Sequence, residues 1–151
     1  MTPALIHINS YPGVGKLTIA RALAAKTGAK VLDNHSIYNV AFALTEFKSE
    51  AFYSAVKDVR AIAYRLVAAL PEDTPVILTN AHADDSAWGN ACWDEAIDLA
   101  EKTGRAHHVV LLDCAREENE PAGGKPELLR HRLAFFAFGS RPNSVRISSL
   151  C

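Results

Sequence analysis

Short apolar runs alternate with longer amphipathic stretches from residue 4 to residue 113 of the chain. Each run is rich in aliphatic or β-branched residues and ends at a polar turn, which is typical of strands buried in a sheet. Strands are predicted over 4–9, 30–33, 75–80 and 107–113, and helices over 16–27, 36–46, 49–70 and 85–103. Strands that alternate with helices indicate right-handed crossovers and a parallel sheet covered on both faces.

The helix predicted over 49–70 has one apolar stripe. The residues of the stripe are Phe52, Val56, Val59, Ala63, Leu66 and Val67. Charged residues, among them Arg60 and Arg65, lie outside the stripe, so the pattern predicts that they face solvent.

The pattern weakens after residue 113. Residues 116–126 are polar and rich in glycine and proline, which predicts a loop, and the segment ELLRHRLAFFAF that follows predicts a helix. Two alternatives stay open for residues 139–151: SVRISSL adds a short edge strand, or the C-terminus is abbreviated. The chain has no repeat, low-complexity tract or linker, so one domain over 1–151 is expected.

The composition is that of an ordinary globular protein, with 49% hydrophobic and 22% charged residues. The formal net charge of -1 predicts no nucleic-acid or anionic-membrane partner. The chain shows no signal-peptide pattern and no apolar run near the ~20 residues of a membrane span. The three cysteines form no CxxC pair, which predicts reduced thiols and a cytoplasmic protein.

The candidate chemistry lies in residues 8–24, INSYPGVGKLTIARALA. Gly13 and Gly15 allow positive φ angles, so that successive N–H groups can surround an anion, and the helix beginning at Lys16 adds its positive end. The lysine can reach the outer phosphates of a nucleotide. The predicted phosphate-binding residues are Pro12, Gly13, Val14, Gly15, Lys16, Leu17 and Thr18. The alternative is a simple glycine turn with a solvated lysine.

Two positions depart from the pattern G-x-x-x-x-G-K-[ST]. Ser10 replaces the first glycine, where a small residue suffices. Leu17 replaces the hydroxyl that ordinarily binds Mg²⁺, and leucine has no oxygen to offer. Thr18 is better placed for an inner phosphate, so magnesium is expected to be held by nucleotide oxygens, water and a carboxylate elsewhere.

The segment GVGKLTIARALAAKTGAKVLDNHSIYNV resembles the small P-loop kinases of the nucleoside-monophosphate and shikimate kinase type. It is most similar to bacterial shikimate-kinase-like "AAA family ATPase" proteins, which share GVGKLT and an Asn-His pair after the second strand. The resemblance implies a three-layer α/β/α P-loop NTPase fold with a mostly parallel sheet of four to five strands. It also implies ATP with Mg²⁺, a small hydroxyl-bearing acceptor and a mobile lid, about 114–126, that carries arginines.

The resemblance assigns roles to single residues. Asp33 retains the first carboxylate of a D-x-D pattern and would hold magnesium or orient the acceptor hydroxyl; the alternative is a helix cap. His35 would face the substrate; the alternative is a partly buried structural histidine. Arg116 follows the fourth strand, as a lid arginine does, and would clamp the transferring phosphate.

Features specific to shikimate kinases are missing. Asn80-Ala81-His82 stands in place of a glycine triplet, which makes His82 a candidate substrate residue, and Phe52-Tyr53 stands in place of a Phe-Arg step. Arg60 is a candidate substitute anion binder, with a solvated surface arginine as the alternative. Shikimate is therefore not the expected acceptor.

Three functions compete at this stage. A small-molecule kinase comes first, a nucleotide-binding module with little turnover second, and an interaction protein with a vestigial loop third. The apolar LAFFAF segment is a candidate contact in a homodimer.

Overall fold

A computed structural model describes residues 3–82, 86–113 and 144–148 of the chain. In these residues, strands and helices alternate up to β4. The elements are β1 (Ala4–Asn9), α1 (Lys16–Thr27), β2 (Lys30–Asp33), α2 (Asn34–Leu44), α3 (Glu50–Ala68), β3 (Val76–Asn80), α4 (Ala87–Lys102), β4 (Ala106–Asp113) and β5 (Ser144–Ser148). The predicted α/β class and the four predicted strands are confirmed.

The strands form one five-stranded sheet in the order β2-β3-β1-β4-β5, and every neighbouring pair is parallel. The edge-strand alternative for SVRISSL is the correct one, since β5 pairs with β4 from Ser144 opposite Val109 to Ser148 opposite Asp113. The register also aligns the carboxyl ends of the central strands, because Asn9 lies opposite Asn80. Polar residues at the ends of separate apolar runs thus meet at one edge of the sheet.

Both faces of the sheet are covered, as the apolar runs predict. Side chains alternate along β1, so that Leu5 packs with α3 and α4 residues, whereas Ile8 packs with Ala20 of α1. The same alternation places Leu78 and Ile77 of β3 on opposite faces. The result is a sheet between α1 on one side and α3 with α4 on the other.

Helices α3 and α4 each begin at a serine whose hydroxyl caps the first turn of the helix. Ser49 caps α3 by accepting a hydrogen bond from the Phe52 N–H at 3.1 Å, and Ser86 caps α4 by accepting one from the Gly89 N–H at 3.0 Å. Helix α2 begins at Asn34, directly after β2, instead of at residue 36. Its first turn therefore lies at the carboxyl end of β2.

The prediction for the buried face of α3 is wrong at two residues. Leu66 is 60% exposed, whereas Arg60 is only 2% exposed. The buried residues of the helix are Phe52, Val56, Arg60 and Val67. Arg60 follows Phe52 and Val56 at intervals of four residues, so it shares their face although it is charged.

None of the helices in the described ranges is long and apolar enough to cross a membrane. The predicted lid over about 114–126, Arg116 and the LAFFAF segment lie outside the described residues.

Candidate functional site

The loop between β1 and α1 has the backbone form that its glycines predict. Gly13 and Gly15 both have left-handed φ angles, of 85° and 80°. The next residue, Lys16, begins α1, so the first N–H groups of the helix point toward the loop without partners in the helix. Val14 lies between the glycines and is buried in the core beneath α1, which anchors the loop. The loop is a turn around a positively polarised centre, the form of an anion site.

Ser10 has a structural task at the base of this loop. Its buried hydroxyl donates to the Leu112 carbonyl of β4 at 2.7 Å, and its N–H donates to the Asn80 carbonyl of β3 at 3.3 Å. The serine thus ties the loop to both strands that flank β1. A glycine could supply only the second of these bonds.

Lys16 folds back over the loop. Its half-buried ammonium donates to the Ser10 carbonyl at 2.9 Å and to the Tyr11 carbonyl. Burial lowers the pKa of Lys16 to about 8, and the negative charge of Asp33 opposes that shift. The ammonium is therefore held by two neutral carbonyl oxygens. The charged oxygens of a phosphate are stronger acceptors and can take their place.

Asp33 lies where the last residue of β2 meets the first turn of α2. It occupies the cap position of α2, but its side chain accepts no hydrogen bond from that helix. Its Oδ1 accepts a hydrogen bond from the Thr79 hydroxyl at 3.2 Å, and the same hydroxyl accepts from the Asn34 N–H at 3.3 Å. The simple capping alternative thus lacks its defining bond, and the carboxylate is oriented by β3.

Among the described side chains, Asp33 is the carboxylate whose charge acts on Lys16, and the residue after the lysine has no hydroxyl. Leu17 is half-buried and Thr18 is exposed. Among residues 3–82, 86–113 and 144–148, no cluster of three or more His, Cys, Asp or Glu residues could hold a metal ion. Asp33 fits as one oxygen ligand. The other ligands would come from the nucleotide and from water.

His82 and His35 occupy opposite environments. His82 follows β3 and is only 4% exposed, whereas His35 is exposed on the first turn of α2. The side chain of Asn9 accepts from the His82 N–H at 2.8 Å and donates to the His82 carbonyl at 2.9 Å. The main chain of His82 is therefore fixed to the end of β1, next to the start of the loop.

Arg60 belongs to a buried polar network and not to the solvated surface. Its guanidinium donates to Glu95 of α4 at 2.9 Å and to the Tyr38 hydroxyl of α2 at 3.3 Å. It also lies over the ring of Trp88, 5.3 Å from the centroid, and Trp88 donates to the Tyr38 hydroxyl at 3.1 Å. The network joins α2, α3 and α4. Direct substrate binding by Arg60 stays a prediction.

Sequence reasoning missed the residues that orient the candidate groups. The predicted strands contain Asn9 and Thr79 without assigning either a role, and the sequence pattern does not single out Tyr38, Trp88 or Glu95. The available signal was a polar residue at the carboxyl end of a buried strand, where ligands of parallel sheets bind. For the network, the signal was an arginine at helical spacing from buried aromatic and aliphatic residues.

Solved structures similar to this chain include several kinases. Thymidylate kinase from Candida albicans matches with a TM-score of 0.62 and 12% identity, over 97% of this chain and 84% of that chain. A gluconokinase from Sinorhizobium meliloti matches with a TM-score of 0.60 and 13% identity, over 99% of this chain and 85% of that chain. Shikimate kinase from Aquifex aeolicus matches with a TM-score of 0.54 and 16% identity, over 95% of this chain and 85% of that chain. No family model and no curated protein matches the chain.

The chain has the fold of the small P-loop kinases. In this fold, the glycine turn and Lys16 follow the central strand β1 at the carboxyl edge of the sheet. Asp33 lies at the same edge, at the end of β2, with β3 between β2 and β1. That edge is where open α/β sheets bind their ligands. A shared fold does not determine the acceptor, which depends on the side chains of each chain.

Proposed function

We propose that this protein binds ATP and transfers its terminal phosphoryl group to a hydroxyl of a small metabolite. One observation carries the proposal: Lys16 opens α1 behind two left-handed glycines, with the charge of Asp33 close enough to act on its pKa. A cation, aligned N–H groups and a carboxylate are the parts that positioning and electrostatic catalysis of phosphoryl transfer require.

In the proposed reaction, the backbone N–H groups of residues 13–18 bind the phosphates. Lys16 exchanges its bonds to the Ser10 and Tyr11 carbonyls for bonds to the outer phosphates. The acceptor oxygen forms a bond to the terminal phosphorus as the bond to the ADP oxygen breaks. The hydroxyl proton passes to a base, for which Asp33 is the candidate unless it holds the metal, and Arg116 is proposed to bind the transferring group.

Leu17 favours a second candidate function, a nucleotide-binding module with little turnover. Without a hydroxyl next to Lys16, the loop contributes no oxygen ligand to magnesium, so a bound nucleotide is less well aligned for transfer. Calorimetry with ATP and magnesium tests the binding that both functions share. ADP release over a panel of hydroxyl-bearing metabolites then separates them, since only the kinase releases ADP in proportion to the acceptor.

The substitution Leu17→Ser is expected to tighten magnesium binding to the ATP complex by about 1 kcal/mol, the worth of one good polar contact. Asp33→Asn is expected to loosen it, because the candidate carboxylate ligand is lost. Magnesium titrations at fixed ATP measure both midpoints, with Leu17→Ala as the control that lacks the hydroxyl. Two unchanged midpoints would mean that the loop does not organise the metal, and the binding module would then be favoured.

Nucleotide affinity is expected to fall above pH 8. The pKa of Lys16 in the free protein is about 8, and phosphate contact raises it because an anion favours the ammonium form. Below pH 8 the ammonium is already present, so affinity stays level. Above it, binding must take up a proton, and the dissociation constant rises by about tenfold per pH unit until the pKa of the complex is reached.

Calorimetry at about pH 9, one unit above that pKa, in two buffers of different ionisation enthalpy counts the protons taken up. Lys16→Ala should abolish the uptake. A level affinity across pH 7 to 9.5 in the unsubstituted protein would contradict the expected role of this ammonium.

A further inference from the structure

The imidazole of His82 is buried, and the proposed phosphoryl transfer does not use it. Neither Nδ1 nor Nε2 has a hydrogen-bond partner within the described part of the chain, although both atoms are inaccessible to solvent. The His7 ring lies edge-on with its centroid 5.9 Å from that of His82, and no hydrogen bond joins the two described rings. Buried polar atoms without partners cost free energy, and native proteins retain few of them. Two on one ring point to a ligand that supplies the missing partners.

The protonation state of the ring narrows the class of that ligand. Burial, with the positive charge of Arg60, lowers the pKa of His82 to about 3, so the ring is neutral near pH 7. A neutral imidazole has one donor nitrogen and one acceptor nitrogen. Hydroxyl groups can pair with both nitrogens. A carboxylate can pair only with the donor and leaves the acceptor unmatched.

The cation whose charge acts on His82, Arg60, already has partners. Arg60 is bonded to Glu95 and to the Tyr38 hydroxyl, so its charge is balanced before any ligand arrives. An acidic group beside His82 would have to displace Glu95 to gain the charge of Arg60. A neutral group would leave the pair intact.

The position of His82 suits an acceptor and not the nucleotide. Its ring lies near His7, whose position in β1 alternates with Ile6 and Ile8, so it is on the sheet face of α3 and α4. The glycine turn and Lys16 lead into α1, which covers the other face. Both are at the carboxyl edge of the sheet, where the main chain of His82 is fixed to Asn9. The edge thus has a phosphate side and a separate side that contains His82.

We propose that His82 hydrogen-bonds a hydroxyl of the phosphoryl acceptor, and that this acceptor is a neutral polyhydroxylated compound such as a sugar, sugar alcohol or cyclitol. The inference rests on the proposed kinase function and adds the chemical class of its substrate. Because the ring is enclosed in the free chain, acceptor binding includes a local rearrangement that uncovers it.

The test measures ADP release from ATP and magnesium with neutral and acidic acceptors of matched skeleton. The neutral probes are D-glucitol, D-glucose and myo-inositol, and the acids are D-gluconate and shikimate. We expect turnover with at least one neutral probe, and about tenfold or greater preference for glucitol over gluconate if the six-carbon chain is accepted, the size of a lost polar match. Turnover that favours an acid, or no turnover with any neutral probe, overturns the inference.

His82→Phe separates recognition from structure, because phenylalanine retains an aromatic ring and removes both nitrogens. We expect the KM for the accepted neutral probe to rise by about tenfold or more, with the Kd for ATP unchanged. The Tm should stay level or rise, since two unpartnered buried atoms are gone. His82→Gln keeps a donor and an acceptor, so its KM should lie between that of His82→Phe and that of the unsubstituted protein. His108→Gln, at an exposed histidine of β4, is the matched control.

An unchanged KM in both His82 variants overturns the proposal, and so does a lower Tm with an unchanged KM, which marks a structural histidine. Failure of the unsubstituted protein to bind ATP is a different result. It overturns the proposed function itself, so the two failures are distinguishable by calorimetry before any acceptor is added.

Discussion

Lys16→Ala should weaken ATP binding by about 10- to 100-fold and reduce turnover by a further 100-fold or more. The first value corresponds to the loss of charge-assisted hydrogen bonds worth about 1.5–3 kcal/mol. The second is about the usual cost of removing one group that stabilises developing charge in the transition state. Folding should be little affected, because the bonds of the half-buried ammonium within the described ranges go to two carbonyls of its own loop.

Calorimetry, ADP release and thermal unfolding measure the three effects of Lys16→Ala. Lys26→Ala is the matched control, since Lys26 is exposed in the last turn of the same helix. Lys16→Arg keeps the charge but replaces a compact ammonium with a planar fork, so it should preserve binding better than turnover. Equal affinity and turnover in Lys16→Ala and in the unsubstituted protein would remove the nucleotide-binding function.

Arg60→Ala should lower the free energy of unfolding by about 2–4 kcal/mol, a large effect for one helix residue. The ion pair itself contributes little of this, because the Glu95 side chain is 40% exposed and water screens the pair. The main losses are the buried stem of Arg60, its contact with the Trp88 ring and its bond to Tyr38. Truncation leaves a cavity between three helices.

Urea unfolding followed by tryptophan fluorescence measures the effect, since Trp88 and Trp93 both belong to α4. Arg65→Ala is the control on the same helix, where the exposed side chain should matter by less than about 0.5 kcal/mol. Arg60→Met retains most of the volume and should lose roughly half as much as Arg60→Ala. If Arg60→Ala matched Arg65→Ala, the network would contribute nothing to stability.

The contacts of Arg60 also bear on whether it serves the acceptor site. The network holds α2 and α4 against α3, and α3 and α4 cover the sheet face on which the His7 and His82 rings lie. Both terminal nitrogens of Arg60 donate within the network, so we expect an effect on the acceptor to act through Tyr38 and Trp88. A direct role as an anion binder would need Glu95 to release the guanidinium.

The glycine turn could be predicted from sequence because its cause is local. Gly13, Gly15 and Lys16 are adjacent in the chain, and backbone conformation at a glycine depends on few distant groups. The strands were predictable for a similar reason, since residues buried on both faces must form continuous apolar runs. The parallel arrangement then followed from the alternation of strands with helices.

The boundaries of α2 and the buried face of α3 were not predictable in the same way. Helix α2 begins at Asn34 because its N–H finds the Thr79 hydroxyl, 45 positions further along the chain. The apolar pattern places Leu66 in the core, yet contacts with α2 and α4 decide which face of α3 is buried. Tyr38 of α2 and Glu95 of α4 are the hydrogen-bond partners of Arg60, and no pattern within α3 shows those partners.

The sequence alone therefore determined the class of fold, the turn that can hold phosphate and the helix whose positive end faces it, because each depends on neighbouring residues. Only the tertiary structure decided which distant side chains meet. It showed that Ser10 binds β4, that Thr79 orients Asp33 and that Arg60 is buried. It also showed that the His82 ring is enclosed and has no hydrogen-bond partner among the described residues. These facts depend on contacts across 22 to 102 positions of the chain, which hydrophobic periodicity does not encode.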